Sequence, residues 1–106
     1  MRVYGTVVEE ESGTPVVGVR VRAYDKDLIF DDKLGDTLTN AKGEFDISYS
    51  EVHFRDLNET APDVYVRVYD ASGKKILYTT EKAVRWSAAV SERFDIKIAK
   101  AKLAGS

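Results

Sequence analysis

The sequence predicts an all-β protein, a seven- to eight-stranded Greek-key β-sandwich with one short helical turn. Three observations predict it. Short segments alternate apolar and polar residues, the period of strands that bury one face. Gly, Pro, Asn and Ser punctuate the chain about every 8–12 residues, the spacing of turns between short strands. The stretch from Val19 to Ile47 shows both: two alternating segments flank a long charged connection, and a tight turn at Gly43 leads into the second.

The elements follow in order. Arg2 to Glu10 alternates Val3, Gly5 and Val7 against Tyr4, Thr6 and Val8. A polar turn through Gly13 and Pro15 leads to a strand in which Val19, Val21 and Ala23 oppose Arg20, Arg22 and Tyr24. Asp25 to Lys33 breaks the alternation and reads as a long loop or a short edge element. Leu34 to Thr39 and Glu44 to Tyr49 are strands joined by Asn40-Ala41-Lys42-Gly43, where glycine supplies the positive φ of a hairpin. Ser50 to Leu57 is the one helix-like piece, with Ser50 as its cap. Val64 to Asp70 sets Val64, Val66 and Val68 against Tyr65, Arg67 and Tyr69. Ile76 to Thr80 is a strand, Lys82 to Ala89 a further short one around Val84 and Trp86, and Arg93 to Ile98 closes the domain. Residues 1–99 form the sandwich and 100–106 a flexible C-terminal tail.

Composition limits what such a domain does. At 106 residues there is one domain, large enough for a core without metal or disulfide support. Hydrophobic residues at 43% and charged residues at 32% are globular values. A net charge of −2 gives no field to draw a phosphate backbone, so nucleic acid is not the expected partner. The absence of cysteine excludes disulfides, thiolate zinc sites and a cysteine nucleophile. No stretch approaches the roughly 20 apolar residues of a membrane span, and no signal-peptide-like run follows Met1. A soluble chain without a membrane partner is expected, its compartment unspecified.

Gly5-Thr6-Val7-Val8, Gly13-Thr14-Pro15-Val16-Val17-Gly18-Val19 and Thr39-Asn40-Ala41-Lys42-Gly43-Glu44-Phe45 together resemble the transthyretin-like and carboxypeptidase-regulatory-like β-sandwich superfamily. Asp63 to Asp70 followed by Gly73 continues the likeness, which covers Arg2 to Ile98. The resemblance implies an Ig-like sandwich of about seven strands, usually an appended interaction, spacer or stability module. One branch of the superfamily hydrolyses 5-hydroxyisourate with clustered histidines, an arginine and a C-terminal Tyr-Arg-Gly-Ser. Here His53 is the only histidine and the C-terminus is Leu103-Ala104-Gly105-Ser106, so that activity does not carry over.

The candidate sites each have a plainer reading beside them. Asp25, Asp27, Asp31, Asp32 and Asp36, with Asp70 nearby, supply oxygens of the kind calcium takes. The plainer reading is a solvated loop neutralised by Lys26 and Lys33. Leu28-Ile29-Phe30 inside that loop either fold under the sheet edge, which is expected, or form a partner-binding patch. Tyr65, Arg67 and Tyr69 are the candidate exposed face for a partner, while Trp86 is expected in the core and otherwise joins the tyrosines in a platform for a small ligand or carbohydrate. His53 beside Asp56 lacks a paired nucleophile. The sequence therefore points to a non-catalytic interaction or spacer module without a cofactor. Its expected partner is another protein or an attached domain, with a homodimer through strand edges as a further route.

Overall fold

A computed structural model of the chain describes residues 1–50 and 61–104. The helix-like piece read after Ser50, with His53 and Asp56, lies outside them. Among the described residues seven strands form two sheets. They are β1 (Arg2–Glu9), β2 (Arg20–Asp25), β3 (Asp32–Leu38), β4 (Glu44–Ser48), β5 (Val64–Tyr69), β6 (Ile76–Thr79) and β7 (Ser91–Ile98). One sheet has the order β4-β1-β7 and the other β3-β2-β5-β6. The fold is the all-β sandwich that the alternation predicts. No helix of the described residues is long and apolar enough to cross a membrane.

Each strand turns one set of alternate side chains inward. Val3 and Val7 of β1, Val21 and Ala23 of β2, Phe45 and Ile47 of β4, Val66 and Val68 of β5 and Phe94, Ile96 and Ile98 of β7 make one buried cluster between the sheets. A core of β-branched and aromatic side chains suits two pleated faces about 10 Å apart.

β1 is the middle strand of the three-stranded sheet, antiparallel to β4 and parallel to β7. At its centre Gly5 lies opposite Phe45 on one side and Phe94 on the other. Its φ is +154°, and a β-carbon there would stand 1.8 Å from the Phe94 carbonyl oxygen. Only glycine lets β7 close onto β1 at this level, because the atoms a side chain would meet are Phe94 backbone. The expected hairpin between β3 and β4 is instead a tight turn that crosses from one sheet to the other, since β3 pairs with β2 and β4 with β1; Gly43 takes φ +72° in it, as the turn requires. Its carbonyl accepts the Val7 amide at 2.8 Å, so the turn is also stitched to β1.

Two further expectations are corrected. Lys82 to Ala89 is not a strand but a 3-10 turn, Glu81–Ala83, followed by irregular chain. Only Arg85 pairs there, in an isolated bridge with Val64. Ser87 then breaks away with φ 51°, and its amide goes to the Asp63 side chain at 2.8 Å instead of a ladder. The tail also starts with order. Helix α1 (Lys100–Leu103) follows β7, the Lys100 amide donates to the Glu11 carboxylate at 3.0 Å, and Leu103 packs on the core.

Replacing Gly5 by alanine is expected to cost about 3 kcal/mol or more, because backbone and not a flexible side chain must move. Urea unfolding measures it; a loss under about 1 kcal/mol would contradict the packing described.

Candidate functional site

The outer face of the four-stranded sheet is built by β2 and β5 in register. Tyr24 lies opposite Tyr65, Arg22 opposite Arg67, and Arg20 opposite Tyr69. Cross-strand neighbours on one face interact directly, and here they interleave rings with guanidinium groups. The Tyr24 and Tyr65 rings stack with centroids 5.2 Å apart. The Arg67 guanidinium lies 5.2 Å from the Tyr24 centroid and 5.5 Å from that of Tyr65, and Arg22 sits 4.6 Å over Tyr69. The Tyr24 and Tyr69 hydroxyls are 2.6 Å apart.

Carboxylates close the network at its rim. Glu81 accepts from Arg67 at 2.8 Å and lies 3.5 Å from the Lys26 ammonium. Asp36 is shared by Arg20, Arg22 and Lys33 at 3.4, 3.1 and 3.1 Å. Asp31 accepts from the Tyr65 hydroxyl and from the Asp27 amide, with Lys26 at 3.7 Å. The expected exposed binding face is therefore not exposed. Tyr65 is 0% accessible and Tyr69 5%, because the flanking arginines arch over the rings and keep water off them.

This packing shifts the titrating groups. Burial raises the Tyr65 phenol well above its ordinary value of 10.0, and donation to Asp31 raises it further. Tyr69 is raised by burial and by its bond to Tyr24. Burial pushes Asp31 and Asp36 upward, but their donors outweigh it: the Asp27 amide and Tyr65 for Asp31, Lys33 and Arg22 for Asp36. Both end below the ordinary 3.8.

The β2–β3 loop rises from this network. Asp31 binds the Asp27 amide at 3.0 Å, and the Asp27 carboxylate binds the Leu28 amide at 2.6 Å. The loop is thus closed at its neck with Leu28-Ile29-Phe30 at the tip. These three do not fold under the sheet: they are 100%, 82% and 80% exposed. The same neck that satisfies the acidic residues holds the apolar ones away from the core. Trp86 does not enter the core either and is 67% exposed.

Asp63 ties the two places together. Its carbonyl accepts the Lys26 amide at 2.8 Å, and its side chain accepts the amide of Ser87, next to Trp86, at 2.8 Å. Its own amide donates to buried Asp25 at 2.9 Å. Val90 belongs to the same end, since its carbonyl holds the Arg2 amide where β1 begins. Of the large apolar residues exposed among the described residues, Val17, Leu28, Ile29, Phe30, Leu38, Ile76, Trp86 and Val90, five thus share one pole of the sandwich: Leu28, Ile29, Phe30, Trp86 and Val90.

The five candidate calcium ligands are not brought together. Asp25 is buried on the Asp63 amide, Asp31 and Asp36 are held by separate sets of donors, and Asp70 closes its own turn onto Ser72 and the Lys74 amide. Among the described residues no three carboxylate or histidine groups are placed to hold a metal. Sequence reasoning missed an open groove of about 530 Å³ on the three-stranded sheet, lined by Arg2, Tyr4, Thr6, Glu44, Asp46 and Arg93. The alternation of Tyr4 and Thr6 with buried valines was the available signal. Its charges are spent within the groove or at its rim: Arg2 covers Tyr4 at 3.9 Å and pairs with Asp46 at 2.8 Å, and Arg93 pairs with Asp95 at 3.0 Å.

The model of the transthyretin-like family matches residues 12–87. The chain belongs to this family. The matched stretch of this transthyretin-like chain runs from the β1–β2 turn to Ser87, so it contains the stacked tyrosines, the apolar loop and Trp86. Nothing among curated proteins matches the chain. A crystal structure of a 9R-lipoxygenase from Cyanothece PCC8801 is similar over 90% of this chain, with a TM-score of 0.66 and 21% identity. The chain spans 16% of the length of that protein. At this identity the likeness is one of fold.

Two outcomes follow from the network. Tyr65→Phe is expected to lower stability by about 1–3 kcal/mol, since it removes a donor from a buried-edge carboxylate. It should also speed amide exchange at Asp27 and Leu28, read by NMR; unchanged exchange would disconnect loop from sheet. Stability should also fall at both pH extremes. Asp31 and Asp36 have folded pKa values below the unfolded 3.8, so their contribution is present above that value and lost as pH falls through the folded ones. Tyr65 and Tyr69 have folded values above 10.0, so theirs is present below 10.0 and lost as pH rises beyond it. Urea midpoints across pH check both; Asp36→Asn should flatten the acid limb alone.

Proposed function

We propose that this transthyretin-like chain is a non-catalytic β-sandwich module that docks on a protein partner through its apolar pole. The partner is a separate protein or a neighbouring domain of the same polypeptide. The exposure of Leu28, Ile29 and Phe30 on a loop with a closed neck carries this reading. Burying a side chain of this size yields about 1.5–3 kcal/mol. A loop already held in shape loses little conformational freedom on binding. Trp86 adds an aromatic anchor of the kind that dominates binding energy at interfaces.

The non-catalytic part rests on how the polar groups are used. Among the described residues Asp31, Asp36, Glu81 and Glu92 are each engaged by a cation or an amide, which supports a structural use for these four. A ligand or carbohydrate platform on Tyr65 and Tyr69 has less support, since guanidinium groups already cover those rings.

The test is photo-crosslinking in cells that make the protein, with p-benzoylphenylalanine at position 30, 86 or 97. Lys97 lies exposed on the other sheet and serves as control. Discrete adducts from positions 30 and 86 and none from 97 are expected. Equal labelling at all three, or none at the pole, would rule the docking surface out.

A further inference from the structure

The pole has a charge pattern as well as an apolar tip. Its cations are occupied by its own carboxylates: Lys26 and Arg67 hold Glu81, Lys33 holds Asp36, and Arg85 holds Glu92 at 2.9 Å. Lys82 is the one side-chain cation there with no ion pair among the described residues. The carboxylates without a cation are more numerous. Asp27 and Asp32 bracket Leu28-Ile29-Phe30 in sequence and are exposed, and Asp63 sits between this loop and Trp86. None of the three has a cation within ion-pair distance among the described residues. Asp27 and Asp63 use one carboxylate oxygen each to hold a backbone amide, which leaves their charge in place.

Resting on the docking surface proposed above, we infer the chemistry of what covers it: a peptide or protein surface with an apolar pocket rimmed by lysine or arginine. Charge complementarity carries the choice. Apolar side chains alone fit a lipid surface or a second copy equally well. Two unpaired carboxylates beside the tip disfavour an anionic bilayer, whose surface potential repels them. They also disfavour a symmetric contact of pole with pole, which brings like charges face to face. A cationic rim removes that penalty, speeds encounter and rejects partners without it.

The experiment pans a random peptide library displayed on phage against the wild-type chain. Selected peptides are then measured on two double variants, Ile29→Ser/Phe30→Ser and Asp27→Asn/Asp32→Asn. Asparagine keeps the oxygen that holds the Leu28 amide and removes only charge, and unfolding curves confirm that both variants remain folded. Peptides are expected that combine apolar residues with Lys or Arg and lose binding on the first variant. On the second they should weaken about three- to tenfold, with the difference shrinking in high salt. Peptides bound through Phe30 but without cations, or indifferent to the second variant, overturn the cationic rim while leaving the docking surface standing. Phe30-dependent sedimentation with phosphatidylcholine or phosphatidylserine vesicles, or Phe30-dependent self-association, in place of peptide binding overturns the inference in favour of lipid or of a second copy. Absence of any binding that depends on Phe30 removes both this inference and the docking surface.

Discussion

The closure of β7 onto β1 at Gly5 is the constraint on which the sandwich depends. β1 supplies both ladders of its sheet, and a β-carbon at its centre would lie inside the Phe94 carbonyl. With hydrogen there, β7 closes onto β1, and Phe45 and Phe94, the residues paired with Gly5 on either side, join the valines of β2 and β5 in one buried cluster. The turn at Gly43, which carries the chain from one sheet to the other, is tied to the same strand through Val7, so the β4 side is positioned from β1 as well. The four-stranded sheet is then supported from beneath by a filled interior, and its outer face is free to carry a second layer of contacts.

That second layer gives the molecule its polarity. Stacked tyrosines under arginines make the outer face stiff, and their carboxylate partners reach to the neck of the β2–β3 loop. Asp31 belongs to both: it ends the tyrosine network and closes the loop. Asp63 does the corresponding work for the Trp86 turn. The apolar residues at the pole are thus held outside the core by satisfied polar groups beneath them, not merely left over by the packing. A rigid body with a presented tip is what a docking module requires, since the binding geometry is largely formed beforehand.

The inward residues of β1, β2, β4, β5 and β7 were legible in the sequence, because a period of two assigns Val3, Val7, Val66, Val68, Phe45 and Ile96 to one side wherever a strand is paired; β3 and β6 alternate too little to assign. The same rule placed Tyr65 and Tyr69 on the opposite side correctly but said nothing of their burial. That depends on Arg22 and Tyr24 from a strand distant in the chain, matched in register, together with Arg67 of β5 itself. Leu28-Ile29-Phe30 and Trp86 were expected inside on hydrophobicity alone. Loop direction is decided by particular hydrogen bonds, Asp27 with Asp31 and Asp63 with Ser87, and no periodicity encodes these. The family likeness read from the Gly13–Val19 and Thr39–Phe45 motifs agrees with the transthyretin-like match over residues 12–87.

The parallel pairing of β1 with β7 has a mechanical consequence. Their register runs from Arg2 with Ser91 to Glu9 with Ile98, so the first strand starts at one pole and the last strand finishes at the other. Tension applied between the start of β1 and the end of β7 pulls along this ladder. Its hydrogen bonds are then loaded together in shear and must give way as a set, whereas a hairpin peeled from its open end loses them one at a time.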